Sequence, residues 1–126
     1  MRIPVQGTFD VALARNMLRK KVAERGWLPS YRARAAAALT ALTELILLSQ
    51  TPAVLNINMV EQPNPHMGIE LVCDIHWRAA KDVWLEQAEV RLSRAADEME
   101  IVDDGGTTHI IARIWLSEDE MQWLNN

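Results

Sequence analysis

Histidine and cysteine side chains bind metals and act as nucleophiles in many proteins, and this sequence contains 3 histidines and 1 cysteine. His66, His76 and His109 fall on a predicted loop and on two separate predicted strands. They lack HExxH-like spacing and no cysteine pair accompanies them, so we predict no metal site. Cys73 shares one face of a predicted strand with Leu71 and Ile75, which indicates an inert core thiol rather than a nucleophile with a base beside it.

Length and composition indicate one globular domain that spans residues 1–126. The sequence is 49% hydrophobic and 24% charged, which argues against a disordered chain and allows a sizeable core. Its apolar runs are far shorter than the roughly 20 residues of a membrane span, and the first residues lack the apolar stretch of a signal peptide. A single cysteine excludes an internal disulfide and fits a reducing compartment. We therefore expect a cytoplasmic protein with no membrane association.

Charge is unevenly distributed along the chain, whose formal net charge is -4. Residues 1–40 carry a formal charge of +6, and the remainder carries -10. Such an asymmetry can mark a basic face for an acidic partner. Most of the basic residues fall on predicted helices, however, where a solvent-exposed face is the usual outcome. We favour that interpretation and predict no nucleic-acid binding.

The spacing of apolar residues predicts the elements that must position any functional side chain. Apolar positions three or four apart indicate helices, and alternating apolar positions indicate strands. The predicted elements are, in order, a strand at 3–5, a helix to 26, a helix at 30–49, strands at 55–59 and 69–77, a helix at 80–97, strands at 99–102 and 108–116, and a helical tail at 117–124. This order indicates an α+β fold, a two-layer sandwich in which helices cover one face of a mostly antiparallel (mixed) sheet. The alanine run at 35–38 indicates close packing of the second helix against that sheet.

Particular residues predict where these elements begin and end. Asp10 or its neighbour Thr8 can cap the first helix, and Ser30 can cap the second, because side-chain oxygens accept hydrogen bonds from free backbone NH groups. Turns are predicted at 63–65, which contains two prolines, and at 103–106, which ends in two glycines. Both turns connect strands, so two hairpins are expected.

Several local strings agree with this order of elements and occur together in one protein family. The strings are Asp10, Ala14-Arg15, Ala23 and Gly26 in the first helix, Thr43-Glu44-Leu45 in the second, then Asp97 to Ile101, Gly106-Thr107-Thr108, and Arg113-Ile114-Trp115. In their order and spacing they make the sequence resemble the GHKL (histidine-kinase-like) ATPases, in the branch of bacterial anti-sigma factors and their serine kinases. The resemblance extends over nearly the whole chain and implies a histidine-kinase-like ATPase domain.

Glu44 and Leu48 fall where that family has the motif Glu-x-x-x-Asn, whose glutamate activates the attacking hydroxyl and whose asparagine holds magnesium. The i to i+4 interval places both residues on one helix face. The resemblance implies that Glu44 is the catalytic base if the protein is an enzyme. Leucine cannot ligate a hard cation, which takes oxygen donors, so Leu48 removes the metal ligand. We therefore favour an inherited or structural glutamate.

Asp74 and Thr107 are the nucleotide-binding candidates that the resemblance implies. Family members carry Asp-x-Gly-x-Gly, whose aspartate receives the adenine amino group. Here Asp74 is present, but both glycines are replaced, and Trp77 occupies the approach to the nucleotide. The glycine-rich phosphate lid of the family is also missing, because no glycine occurs between Trp77 and Met99. Thr107 corresponds to a threonine that lies near the adenine in the family.

The resemblance and the lost motifs together predict a regulatory protein-binding domain without ATP binding, catalysis or a cofactor. The implied partner is a sigma factor or an anti-sigma antagonist, and the family implies a possible homodimer. One alternative is a divergent ATP-dependent serine/threonine protein kinase that retains ATP and magnesium through Glu44, Asp74 and Thr107. A second alternative is a scaffold or adaptor domain unrelated to sigma factors.

Overall fold

The computed structural model describes residues 1–62, 65–78 and 81–124. Within these ranges the chain forms an α+β fold with five strands and four helices. The elements are β1 (Arg2–Val5), α1 (Thr8–Glu24), α2 (Pro29–Leu48), β2 (Ala53–Val60), β3 (Gly68–His76), α3 (Lys81–Ala95), β4 (Glu98–Asp104), β5 (Thr107–Trp115) and α4 (Glu118–Leu124). The predicted order of elements, including the helical tail, is confirmed.

The five strands form a single sheet in the order β1-β2-β3-β5-β4. β3 lies at its centre, between β2 and β5, and the sheet ends in β1 on one side and β4 on the other. Both predicted hairpins, β2-β3 and β4-β5, are present. All four strand pairs are antiparallel, so the described strands lack the parallel component that a mixed sheet would have.

One face of the sheet is covered by helices, and this face supplies the core. Along β2, β3 and β5, buried residues alternate with more exposed ones, as expected when successive side chains point to opposite faces. Leu71 of β3, for example, is buried between Ile57 of β2 and Ala112 of β5. These residues belong to one core cluster with apolar side chains of the helices, such as Leu18 and Leu42. Each fully buried side chain of this size contributes about 1.5–3 kcal/mol, so this layer is the main source of stability.

The starts of α1 and α2 differ from the prediction. Gly7 is the N-cap of α1. The backbone NH of Gly7 donates a hydrogen bond to the carboxylate of Asp10 (3.2 Å). Asp10 thus acts from the third helical position rather than as the cap. α2 begins at Pro29, one residue before the predicted cap Ser30, whose hydroxyl instead donates to Glu120 (2.7 Å). Proline fits the first helical position because its missing NH would have no partner there.

The two predicted turns have different outcomes. The hairpin turn at 103–106 forms, and Gly105 adopts φ of 63°, a left-handed conformation that glycine accepts without steric cost. Of the turn predicted at 63–65, residues 63 and 64 lie outside the described residues. The β2-β3 pairing continues up to Val60 and Gly68, which flank that segment.

The last two helices are close to their predicted bounds. The helix predicted at 80–97 is observed as α3, although residue 80 lies outside the described residues. α3 ends at Ala95, and the backbone NH of Asp97 then donates to the carbonyl of Arg113 in β5 (2.9 Å). Ser117 caps α4, since its hydroxyl accepts a hydrogen bond from the NH of Glu120 (3.1 Å). Among the described residues, no helix combines the length and the apolar composition that a membrane crossing requires.

Candidate functional site

Glu44 lies on α2 and faces α3 within the helix layer. Its carboxylate accepts a hydrogen bond from the guanidinium of Arg91 on α3 (2.5 Å), and both side chains are about half exposed. The pair joins two helices that are separated by one strand hairpin in the sequence. A carboxylate held by a guanidinium is less available to accept a proton from a hydroxyl substrate, so this contact favours a structural role for Glu44.

The space between α2 and α3 beside Glu44 is nearly filled. The cavity there has a volume of about 40 Å³. Trp84 and Ala88 of α3 line it from one side, and Leu45 and Leu48 of α2 line it from the other. Pockets that bind small molecules usually measure about 300–1,000 Å³, so this cavity is far too small for a nucleotide.

Asp74 and Thr107 lie on the open face of the sheet, opposite the helix layer that contains Glu44. Asp74 is exposed, and its carboxylate lies 2.6 Å from the Nδ1 atom of His109 on β5. The hydroxyl of Thr107 lies 3.0 Å from the Nδ1 atom of His76 on β3. The sheet thus separates Glu44 from the other two candidates, and the structure does not bring the three predicted site residues together.

Thr108, rather than its neighbour Thr107, points toward the helix layer and is fully buried. The indole NH of Trp77 donates to the Thr108 hydroxyl (2.8 Å), which donates in turn to Asp103 (3.2 Å). The ammonium group of Lys81 donates to the same carboxylate (2.8 Å), and this hydrogen bond lowers the pKa of Asp103. The Trp77 side chain therefore packs on the helix side of the sheet, next to the turn between β4 and β5.

The histidines and the cysteine lie apart from one another. His66 stacks on Trp115, with ring centroids 5.5 Å apart, whereas His76 and His109 have the open-face partners described above. Within the described ranges, no group of three or more histidine, cysteine or acidic side chains has an arrangement that would hold a metal ion. Cys73 is buried in the core, and burial raises the pKa of its thiol to about 12. Its buried position agrees with the inert thiol predicted from the strand pattern.

A broad groove runs over the outer surface of the helix layer, and the sequence interpretation did not anticipate it. Its larger part has a volume of about 740 Å³ and its smaller part about 340 Å³, and both parts are lined by Arg15 and Ala36. We call it the arginine-alanine groove. Its larger part is lined by Arg15, Ala33, Arg34, Ala36, Ala37, Thr40, Arg91, Arg94 and Ala95, and its smaller part by Ala12, Arg15, Asn16, Leu18, Arg19, Arg32 and Ala36.

The alanine run of α2 explains why this groove forms. Ala35 and Ala38 are buried against the sheet, as the run predicted, but Ala36 and Ala37 point outward. Their short side chains leave a depression between the longer side chains of the neighbouring helices. A local hint is present in the sequence, since arginines occur at 32 and 34 beside the alanines of α2, but the lining residues of α1 and α3 join them only through helix packing.

Another cavity, of about 710 Å³, lies near α4, and five of its thirteen lining residues are acidic. Arg34 lines it and is neutralised there, since it donates to Glu120 (2.6 Å) and lies 3.5 Å from Asp97. Trp123 also lines this cavity and is 68% exposed. Burial alone would raise the pKa of Glu120, but hydrogen bonds from Ser117 and its other donors outweigh it, so the pKa is lowered overall.

No protein-family model matches the chain, and no curated protein matches it.

Proposed function

We propose that this chain is a regulatory protein-binding domain with a role like that of bacterial anti-sigma factors, and that it acts without ATP and without phosphoryl transfer. The observation that carries the proposal is the filled space between α2 and α3. Only a cavity of about 40 Å³ lined by Trp84 is described there, and Arg91 holds the carboxylate of Glu44. Without a nucleotide site between these helices, the proposed domain would act by binding a partner protein on its surface.

The position of Leu48 also lacks the magnesium ligand that a kinase would need. Magnesium takes oxygen donors in near-octahedral geometry, and kinases need it to neutralise the charge on the transferred phosphoryl group. Leu48 lies one helical turn after Glu44 and lines the same small cavity, where it supplies only methyl groups. The divergent-kinase alternative would therefore need both a new metal ligand and a rearrangement of α3.

The order of elements and the one-sided helix layer support a place for this domain beside the GHKL ATPases, as a member that has lost its nucleotide site. The proposed partner is a sigma factor or an anti-sigma antagonist, and the proposed location is therefore the bacterial cytoplasm. A homodimer is compatible with this role. The open sheet face and the arginine-alanine groove offer large surfaces for such contacts.

Millimolar ATP with magnesium is expected to leave the melting temperature of the chain unchanged. A ligand present at about 100 times its dissociation constant adds roughly 2.7 kcal/mol to the unfolding free energy, which would raise the melting temperature by several degrees. Circular dichroism or differential scanning fluorimetry measures the shift. Magnesium alone and ATP with EDTA are the controls. A rise that requires both ATP and magnesium would contradict the proposal and favour the divergent-kinase alternative.

The purified chain is expected to inhibit transcription from promoters of one sigma factor of its source bacterium. The reason is steric, since a domain bound to a sigma factor competes with core RNA polymerase for the same protein. The assay combines core polymerase with one purified sigma factor at a time and measures transcripts with and without an excess of the chain. The other sigma factors serve as controls. If transcription is unchanged for all of them, the sigma-factor part of the proposal is wrong, and the adaptor alternative gains support.

A further inference from the structure

We infer that the arginine-alanine groove is a docking site for an acidic amphipathic helix of a partner protein. This inference rests on the proposed protein-binding function and adds the chemistry of the partner. The groove lies on α1, α2 and α3, on the outer side of the helix layer, and of its lining residues Arg91 also lines the small cavity beside Glu44.

The floor of the groove is formed by alanine side chains of α2. Ala33, Ala36 and Ala37 present only methyl groups there, and Ala33 and Ala37 are exposed. The lining residues of α2 extend from Arg32 to Thr40, which corresponds to about 12 Å of helix, or roughly two turns. Helix-in-groove recognition commonly places apolar residues of the partner on such a floor at helical spacing.

The rim of the groove determines the charge of the partner. All charged side chains that line either part are arginines, and no aspartate or glutamate lines them among the described residues. Arg34 and Arg91 already have carboxylate partners within the chain. Arg15 donates to the hydroxyl of Thr40, and it makes no ion pair within the described ranges.

The remaining rim arginines make no ion pair with any described residue; they are Arg19, Arg32 and Arg94. An acidic helix would supply carboxylates to this rim while its apolar face covers the alanine floor. Guanidinium groups bind carboxylates through paired, charge-assisted hydrogen bonds, so the rim favours a partner rich in glutamate or aspartate.

Nucleic acid and a second copy of the chain fit this groove less well. Single-stranded nucleic acid is usually held by aromatic side chains that stack on the bases, and none of the described residues that line the groove is aromatic. The formal charge of the whole chain is also negative. The acidic helix of a second copy, α4, has only 7 residues, and its Glu120 is buried against Ser30 and Arg34 of its own chain.

The charge requirement is tested with a fluorescein-labelled peptide of about 20 residues, in which leucine and alanine form one helical face and glutamate forms the other. Fluorescence anisotropy should show binding to the full chain. Arg94→Glu should weaken binding about tenfold or more, because a like charge then faces the peptide. Lys20→Glu makes the same charge change on an exposed α1 position outside the groove lining and should alter the affinity less than about twofold.

The shape requirement is tested without any change of charge. Ala37→Trp fills the floor at an exposed position and should abolish peptide binding, whereas Ala23→Trp adds the same side chain at an exposed α1 position outside the groove lining and should have no effect. A peptide of identical composition but scrambled order, which lacks an apolar face, should bind at least about tenfold more weakly. Circular dichroism confirms that each variant is folded.

Several outcomes would overturn the inference. One is the absence of peptide binding, and another is equal binding to all the variants. A third is tighter binding of single-stranded DNA, lost on Arg94→Glu, which would assign the groove to nucleic acid. A fourth is self-association, measured by analytical ultracentrifugation, that both Ala37→Trp and Trp123→Ser abolish. None of these outcomes depends on the melting experiment with ATP, so failure of the groove and failure of the proposed function can be told apart.

Discussion

Replacement of Gly68 by alanine is expected to lower the free energy of unfolding by about 4 kcal/mol, because overpacking and a lost buried hydrogen bond add together. A Cβ atom at this position would lie 2.1 Å from the backbone carbonyl oxygen of Ile114 and 2.9 Å from the hydroxyl of Tyr31. Backbone atoms of a central strand cannot move aside without disturbing the β3-β5 pairing, which begins at Gly68. The expected loss therefore combines strain in the sheet with disruption of the hydrogen bond that Tyr31 donates to Ile114 (2.6 Å).

Thermal and urea unfolding, followed by circular dichroism, measure this effect. For a domain of this size, a loss of about 4 kcal/mol lowers the melting temperature by roughly 12 °C. Gly106→Ala is the matched control, since a Cβ there would meet no atom within 4 Å. Tyr31→Phe isolates the hydrogen bond and should cost only about 1–2 kcal/mol. A Gly68→Ala variant as stable as the control would show that β3 and β5 approach less closely than described.

The strands and helices could be predicted from the sequence because their signals are local. The alternation of apolar residues in β3 and β5 reflects one buried face. A shift of the strand register by one residue would move that apolar face to the solvent, so other pairings are disfavoured. The start of α2 was less predictable, because the hydroxyl of Ser30 binds Glu120. These two residues are 90 positions apart in the sequence, so no local rule for caps could identify the contact.

The face of the sheet on which a candidate side chain lies is hard to predict from the sequence, and the reason is register. Side chains on a strand alternate between faces, so an error of one position moves a residue to the other side of the sheet. Thr107 was assigned by resemblance to the nucleotide, yet it is Thr108 that points to the helix layer and binds Trp77. Asp74, like Thr107, points to the open face. Sequence strings indicate that such residues are present, but pairing with neighbouring strands decides where they point.

The arginine-alanine groove shows a different limit of sequence reasoning. Its lining comes from three helices, and arginines such as Arg15, Arg32 and Arg94 lie far apart in the sequence. Each of them alone is compatible with an ordinary solvent-exposed helix face, which is the interpretation the sequence favoured. Only the packing of the helices brings these residues to one rim, so the groove is a property of tertiary structure.

Glu120→Ala is expected to destabilise the chain by about 2 kcal/mol, because it removes a buried carboxylate and leaves three partly exposed donors without their charged acceptor. Glu120 is only 6% exposed. Its carboxylate accepts hydrogen bonds from Ser30 (2.7 Å), from Arg34 (2.6 Å) and from the backbone NH of Ser117 (2.8 Å). The residue therefore ties the start of α2 to the start of α4. Glu118→Ala removes an exposed carboxylate from the same helix turn and should change the stability by less than about 0.5 kcal/mol.

The contribution of Glu120 should also depend on pH, and the direction follows from its pKa. Burial favours the protonated carboxyl, but the hydrogen bonds from Ser117 and Ser30 and the charge of Arg34 favour the carboxylate, so the pKa in the folded chain lies below its ordinary value. The ionised group therefore stabilises the fold above the ordinary glutamate pKa of about 4.3, and this contribution decreases as the pH falls toward the lower folded pKa. Urea unfolding of the wild type and of Glu120→Gln between about pH 7 and pH 3 measures the difference. The stability difference should be largest near neutral pH and should shrink below about pH 4. A difference that stays constant over this range would mean that the charge on Glu120 contributes nothing and that shape alone holds α4 in place.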